Sequence, residues 1–230
     1  MERIYSQQAQ SSASRKFVAR VYGWMFAALL VSASVAFFTP TSVVLMRLIF
    51  GNAFGFYALC LAELALVWWL KASIEKISAR AAAIAFLVYS IVNGITLSVV
   101  FLVYPIGNIV SVFFVSALMF GAMSIYGMFT KSNLMSVGRY LVMGLIGLIL
   151  ASLINLFLRS SMLEWIVSFA GVALFTALTA YDTYRVARTA EYADGREAYK
   201  NVAIIAALEL YLDFINIFLY LLRLFGNRRR

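Results

Sequence analysis

Seven runs of continuously apolar residues, at 21–38, 53–70, 81–104, 108–129, 140–158, 162–181 and 202–222, fill this chain from residue 21 almost to its end. Each run approaches or exceeds the roughly 20 apolar residues that a helix needs to cross a bilayer. A helix satisfies its own backbone hydrogen bonds in hydrocarbon, and a closed barrel is the only other spanning structure that does so. Barrel strands alternate apolar and polar residues over about ten positions, and these runs do not. The pattern therefore predicts an all-α membrane protein with about seven transmembrane helices. Charged residues make up only 13% of the 230 positions, against about 25% in soluble domains. Such a chain cannot cover a water-facing surface, and no soluble enzymatic domain is expected.

The expected organisation is a polar N-terminal segment at 1–20, one helical bundle at 21–225 and a basic tail at 226–230. The joints carry turn or charge signals at Thr39-Pro40-Thr41, Gly51-Asn52, 71–80 and Pro105-Ile106-Gly107-Asn108. The first apolar run leads into further spans rather than to a cleavage site, so it is read as a retained helix and not a signal peptide. Gly121, Gly127, Gly144, Gly147 and Gly171 lie inside runs, where small residues let helices approach closely.

Lys and Arg number 19 against 10 acidic residues, for a net charge of +9. They stand at the ends of the runs instead of on one face, which fits membrane orientation better than nucleic-acid binding. With the N-terminus inside, the inner segments hold the cations from Arg3 to Arg20, Lys71, Lys76, Arg80, Lys131, Arg139 and those from Arg185 to Lys200; the outer loops hold only Arg47 and Arg159. This bias predicts a cytoplasmic N-terminus. Arg223 and Arg228-Arg229-Arg230 break it if the seventh run spans fully, so a full crossing and a re-entrant path both stay open. The chain has no histidine, which excludes Ser-His hydrolysis, His-ligated zinc and His-based switching. Cys60 is the only cysteine, so no intramolecular disulfide can form, and it reads as a packing residue.

Glu63, Asp182, Glu209 and Asp213 sit in or at the edges of apolar runs. A carboxylate at the centre of a helix costs roughly 2.5 to 3.5 kcal/mol on insertion scales, so such residues turn toward a bundle interior, a partner or water. Glu209, Asp213 and Asn216 share one face of the seventh helix, a polar stripe expected to face a cavity. Asp182 lies near the end of the sixth run and Asp213 about eleven residues into the seventh, which starts on the same side. In antiparallel helices rising about 1.5 Å per residue the two carboxylates can reach similar depths and share a proton. Without histidine, this pair is the best candidate for sensing pH. The alternative reading has Asp182 pairing with Arg185 or Arg188 while Asp213 bonds neighbouring helices. Glu63 and Glu209 read equally well as buried hydrogen-bonding residues.

The segments Leu210-Tyr211-Leu212-Asp213-Phe214-Ile215-Asn216-Ile217-Phe218 and Ala180-Tyr181-Asp182-Thr183 resemble the Bax inhibitor-1 family, most closely its bacterial inner-membrane branch. Val21-Tyr22-Gly23-Trp24-Met25, Gly94-Ile95-Thr96-Leu97-Ser98, Phe120-Gly121-Ala122-Met123-Ser124 and the ending 221–227 support the match over nearly the whole chain. The resemblance implies six helices around a central seventh. It also implies a pH-sensitive dyad at Asp182 and Asp213 that controls a calcium leak and contacts the passing ion, with Glu63 as a pore-lining acid. Glu209 and Asn216 are further candidates for cation contact. In some relatives a basic residue after the second helix closes the pore; Lys71, Lys76 and Arg80 compete for that role here, and Arg80 is preferred.

These features make a pH-regulated calcium leak channel the leading expectation, with calcium as the transported ion and no tightly bound cofactor; hard cations take oxygen ligands such as these carboxylates. A regulator of a membrane protease or stress response is the second reading, acting through 1–20 or the charged loop at 185–200. An intramembrane aspartyl protease is disfavoured, because Tyr211 and Leu212 stand where that chemistry needs glycine before Asp213.

Overall fold

The computed structural model describes residues 2–51, 53–73, 76–193 and 197–227. Asn52 of the second joint, Arg196 of the inner cations and Arg228-Arg229-Arg230 of the tail lie outside the described residues. The elements are α1 (Glu2–Phe38), α2 (Val43–Phe50), α3 (Ala53–Ser73), α4 (Ala79–Val103), α5 (Ile106–Phe129), α6 (Gly138–Leu158), α7 (Ser161–Tyr192) and α8 (Glu197–Phe225), with 3-10 turns at Thr39–Thr41 and Leu134–Val137. No strand occurs among the described residues. Seven of the helices, all but the short α2, are long and apolar enough to cross a membrane. The chain is an all-α integral membrane protein.

Local chemistry sets the ends of these helices. Ser42 and Ser78 accept from the backbone N–H groups of Leu45 and Ala81, capping α2 and α4. Arg159 closes α6 in the left-handed conformation at φ 50°, its N–H returning to Asn155 O. The polar segment is helical from Glu2 and forms the first turns of α1, ahead of the apolar run. One expectation needs correcting. The charged stretch at 185–200 is mostly the end of α7 and the start of α8 rather than a loop.

The chain divides into two compact units. The first holds the residues up to 105 together with 190–211. In it α1 lies against α4 at Gly94, where a side chain would collide with the Ser32 backbone and Val35. Ser14 Oγ donates to Ala190 O, and buried Phe17 meets Tyr199 edge-on at 6.4 Å. The start of α8 is thereby held level with the middle of α1, around Phe17.

The second unit holds 106–189 together with the chain from 212 onward. Here α8 runs antiparallel to α5: Phe214 packs on Phe120 at 5.7 Å, Phe218 on Phe113 at 6.4 Å, and Asn108 Nδ2 donates to Asn227 O at 3.0 Å. With 29 unbroken residues, α8 is about 43 Å long at 1.5 Å per residue. Unbroken over this length, α8 is long enough for the full crossing, and Arg223 stands in its last turn. In the apolar window of α8, 61% of residues are buried, against 6% for α3 and 11% for α6; α8 is the most closely packed of the three, and the other two leave most of their residues accessible.

Candidate functional site

Both aspartates of the expected dyad belong to the second unit and both are buried, Asp182 on α7 at 9% exposure and Asp213 on α8 at 4%. Their neighbours locate them against a common helix. Thr183 Oγ1 donates to Ser124 Oγ at 3.4 Å, and Phe214 packs on Phe120. Positions 120 and 124 stand on successive turns of one face of α5, about 6 Å apart along the axis. The residues adjoining the two carboxylates therefore rest at nearly the same height. α7 reaches α5 closely because Gly127 faces Ala180, whose carbonyl would collide with any Cβ at that glycine.

Arg185 Nη1 donates to Asp182 Oδ1 at 3.1 Å, one turn along α7, and the Arg185 guanidinium lies 5.7 Å over the Tyr181 ring. This i,i+3 pair is the one considered from sequence for the alternative role of Asp182. Asn216 Nδ2 donates to Leu212 O within α8 at 2.8 Å.

The first unit contains a second polar cluster at membrane depth. Glu63 on α3 accepts a short hydrogen bond from Thr96 and a 3.2 Å bond from Asn93 Nδ2, both on α4. Asn93 Oδ1 in turn accepts from Tyr211 Oη of α8 at 2.7 Å. Tyr211 Oη lies 2.6 Å from Ser32 Oγ of α1, and Ser32 Oγ lies 2.7 Å from Ser90 O. Four helices are thus joined through side chains that are costly to leave unpaired in a low-dielectric interior. The Ser32 and Tyr211 hydroxyls carry one hydrogen each, yet three contacts draw on them. Only two of the three can be hydrogen bonds at once, so the cluster has alternative proton arrangements.

Glu209 accepts from Lys71 Nζ at 2.9 Å, the Lys71 side chain being 43% exposed. Lys71, one of the competing closing cations, is therefore held on the same helix pair as Glu209.

The description Inhibitor of apoptosis-promoting Bax1 covers the family whose pattern matches residues 14–230. The chain belongs to the Bax inhibitor-1 family. It is 47% identical over 215 residues to the inner membrane protein YbhL of Escherichia coli K12, covering 93% of this chain and 92% of that protein. A Borreliella burgdorferi protein is 44% identical over 93% of each chain. A membrane protein of Streptococcus pyogenes serotype M1 is 34% identical over 92% of this chain and 93% of its own length.

In this Bax inhibitor-1 protein the sequence-predicted acids are distributed between the units: Glu63 and Glu209 in the first, Asp182 and Asp213, with Asn216, in the second. Arg80 stands exposed in the first turn of α4, beside a recess it shares with Arg20 and Lys200. Cys60 is free and half-buried. Among the described residues no three His, Cys, Asp or Glu side chains converge as a metal cage. Sequence reasoning passed over Ser32, Asn93, Thr96 and Tyr211 as functional residues. Thr96 and Tyr211 stand inside two of the quoted motifs, and polar residues within apolar spans were the available signal.

Proposed function

We propose that this protein is a pH-regulated calcium leak channel of the bacterial inner membrane, with its N-terminus cytoplasmic and Asp182 and Asp213 as the gate. The observation that carries the reading is that both carboxylates are buried while the residues beside them, Thr183 and Phe214, meet successive turns of one α5 face. Two acids at one depth cannot both ionise without mutual repulsion, so proton uptake and helix contacts are coupled. Arg185 supplies the compensating cation for Asp182 when the pair is charged. Carboxylate oxygens at this depth attract a hard cation in transit, while the lack of a third converging ligand among the described residues favours release over retention. Glu63 lies at membrane depth on α3 and serves as a further oxygen donor along the path.

Calcium flux into liposomes holding the purified protein, measured from pH about 5 to 8, tests this. The pH span brackets a perturbed carboxylate pair. Wild-type flux is expected to vary with pH, and Asp182→Asn or Asp213→Asn to flatten the profile. Absence of wild-type flux above empty liposomes throughout would refute the channel and favour action through a protein partner.

A further inference from the structure

Three helices of the first unit repeat one arrangement around a recess of about 830 Å³. Arg20 and Trp24 stand one turn apart on α1, Arg80 and Ile84 on α4, and Lys200 and Ile204 on α8. All three helices begin at the same end of the unit, so each contributes a cation at the rim and an apolar side chain one turn deeper. Ser78, the capping residue of α4, stands at the rim and Ala83 deeper along the same helix. Among the described residues no acidic side chain lines the recess, and neither Arg20 nor Arg80 makes an ion pair. Ile84 is 63% exposed. A layer of cations above a layer of apolar surface is complementary to one kind of molecule that surrounds the protein: a phospholipid with an anionic headgroup. A free phosphate would leave the apolar tier bare, and an acidic peptide would not extend down it.

We infer that the recess is a binding site for an anionic phospholipid, its phosphodiester among Arg20, Arg80 and Lys200 and the start of an acyl chain along Trp24 and Ile84, over the buried Ile204 at the floor. Trp24, in the apolar tier one turn from Arg20, is of the residue type enriched at membrane interfaces. The lipid would tie together three helical segments of the first unit, independently of any ion path.

Trp24 also provides the test. The chain has four tryptophans, and replacing Trp68, Trp69 and Trp165 by Phe leaves Trp24 as the sole reporter. In vesicles of phosphatidylcholine, phosphatidylglycerol brominated high on its acyl chains is expected to quench Trp24 at lower mole fraction than brominated phosphatidylcholine. Each of Arg20→Gln, Arg80→Gln and Lys200→Gln should weaken that preference about fivefold, while Arg20→Lys retains it. Circular dichroism and size exclusion establish that each variant is folded. A companion protein retaining only Trp68, which is 75% exposed, should show no preference between the lipids. Equal quenching of Trp24 by both lipids, the same preference at Trp68, or displacement of the quencher by excess inorganic phosphate would each overturn the assignment.

Discussion

At the scale of single residues, Tyr211 shows how much a buried hydroxyl can organise. Its ring is fully buried, edge-on to Phe86 at 5.7 Å and to Tyr89 at 5.9 Å, and its Oη reaches Asn93 and Ser32. Tyr211→Phe keeps the ring contacts and leaves Asn93 Oδ1 without that donor. Ser32 loses nothing, since its hydrogen can go to Ser90 O. The expected cost is that of one orphaned buried acceptor, about 1–3 kcal/mol, measured as a lower unfolding midpoint in detergent. A larger loss, approaching that of Tyr211→Ala at about 3–5 kcal/mol, would mean that the whole polar chain collapses with the hydroxyl. The presence of an acid at position 63 was legible in the sequence, because a lone Glu among Leu and Ala is conspicuous. Its partners were not, because Asn93 and Thr96 reach it only after α3 and α4 pack. The same distinction separates two ion pairs among the described residues. Asp182 and Arg185 are three positions apart on one helix and could be anticipated, whereas Lys71 and Glu209 meet across 138 residues of chain.

At the scale of elements, the apolar runs located all seven spans, since a span needs only length and hydrophobicity. The structure adds turns at the ends, where burial is not the deciding force: α1 starts at Glu2 and the eight-residue α2 lies between the first two joints. Packing glycines were only partly separable by sequence. Gly127 and Gly171 are pressed against Ala180 and Tyr220 and Gly144 against Leu174, but a Cβ placed at Gly121 or Gly147 would meet nothing within 4 Å. The difference lies in which face of the helix meets a neighbour, and a run that is apolar all round does not encode that face. Gly127→Ala must push α7 away from α5 and is expected to cost about 1–3 kcal/mol by overpacking. Gly121→Ala, on the same helix, should be neutral or slightly stabilising through helix propensity. Thermal unfolding of the two variants side by side checks this. Equal effects would show that the close approach of α5 and α7 does not limit stability.

At the scale of the whole molecule, the chain is a membrane protein whose few polar groups are concentrated in distinct places. The Glu63 cluster links α1, α3, α4 and α8 in the first unit, and the two aspartates lie on α7 and α8 in the second. α8 contributes Tyr211 to one and Asp213 to the other, two residues apart on a buried helix. That juxtaposition explains why the motif around Tyr211 and Asp213 was the most informative stretch of the sequence. The most direct measurement on the gate is the pH profile of calcium flux for Asp182→Asn, Asp213→Asn and the double variant in liposomes of one composition. Two carboxylates that titrate as a unit predict that the double variant is no flatter than either single one, because removing one member already abolishes the shared proton. Independent, additive contributions from the two substitutions would contradict a gating dyad.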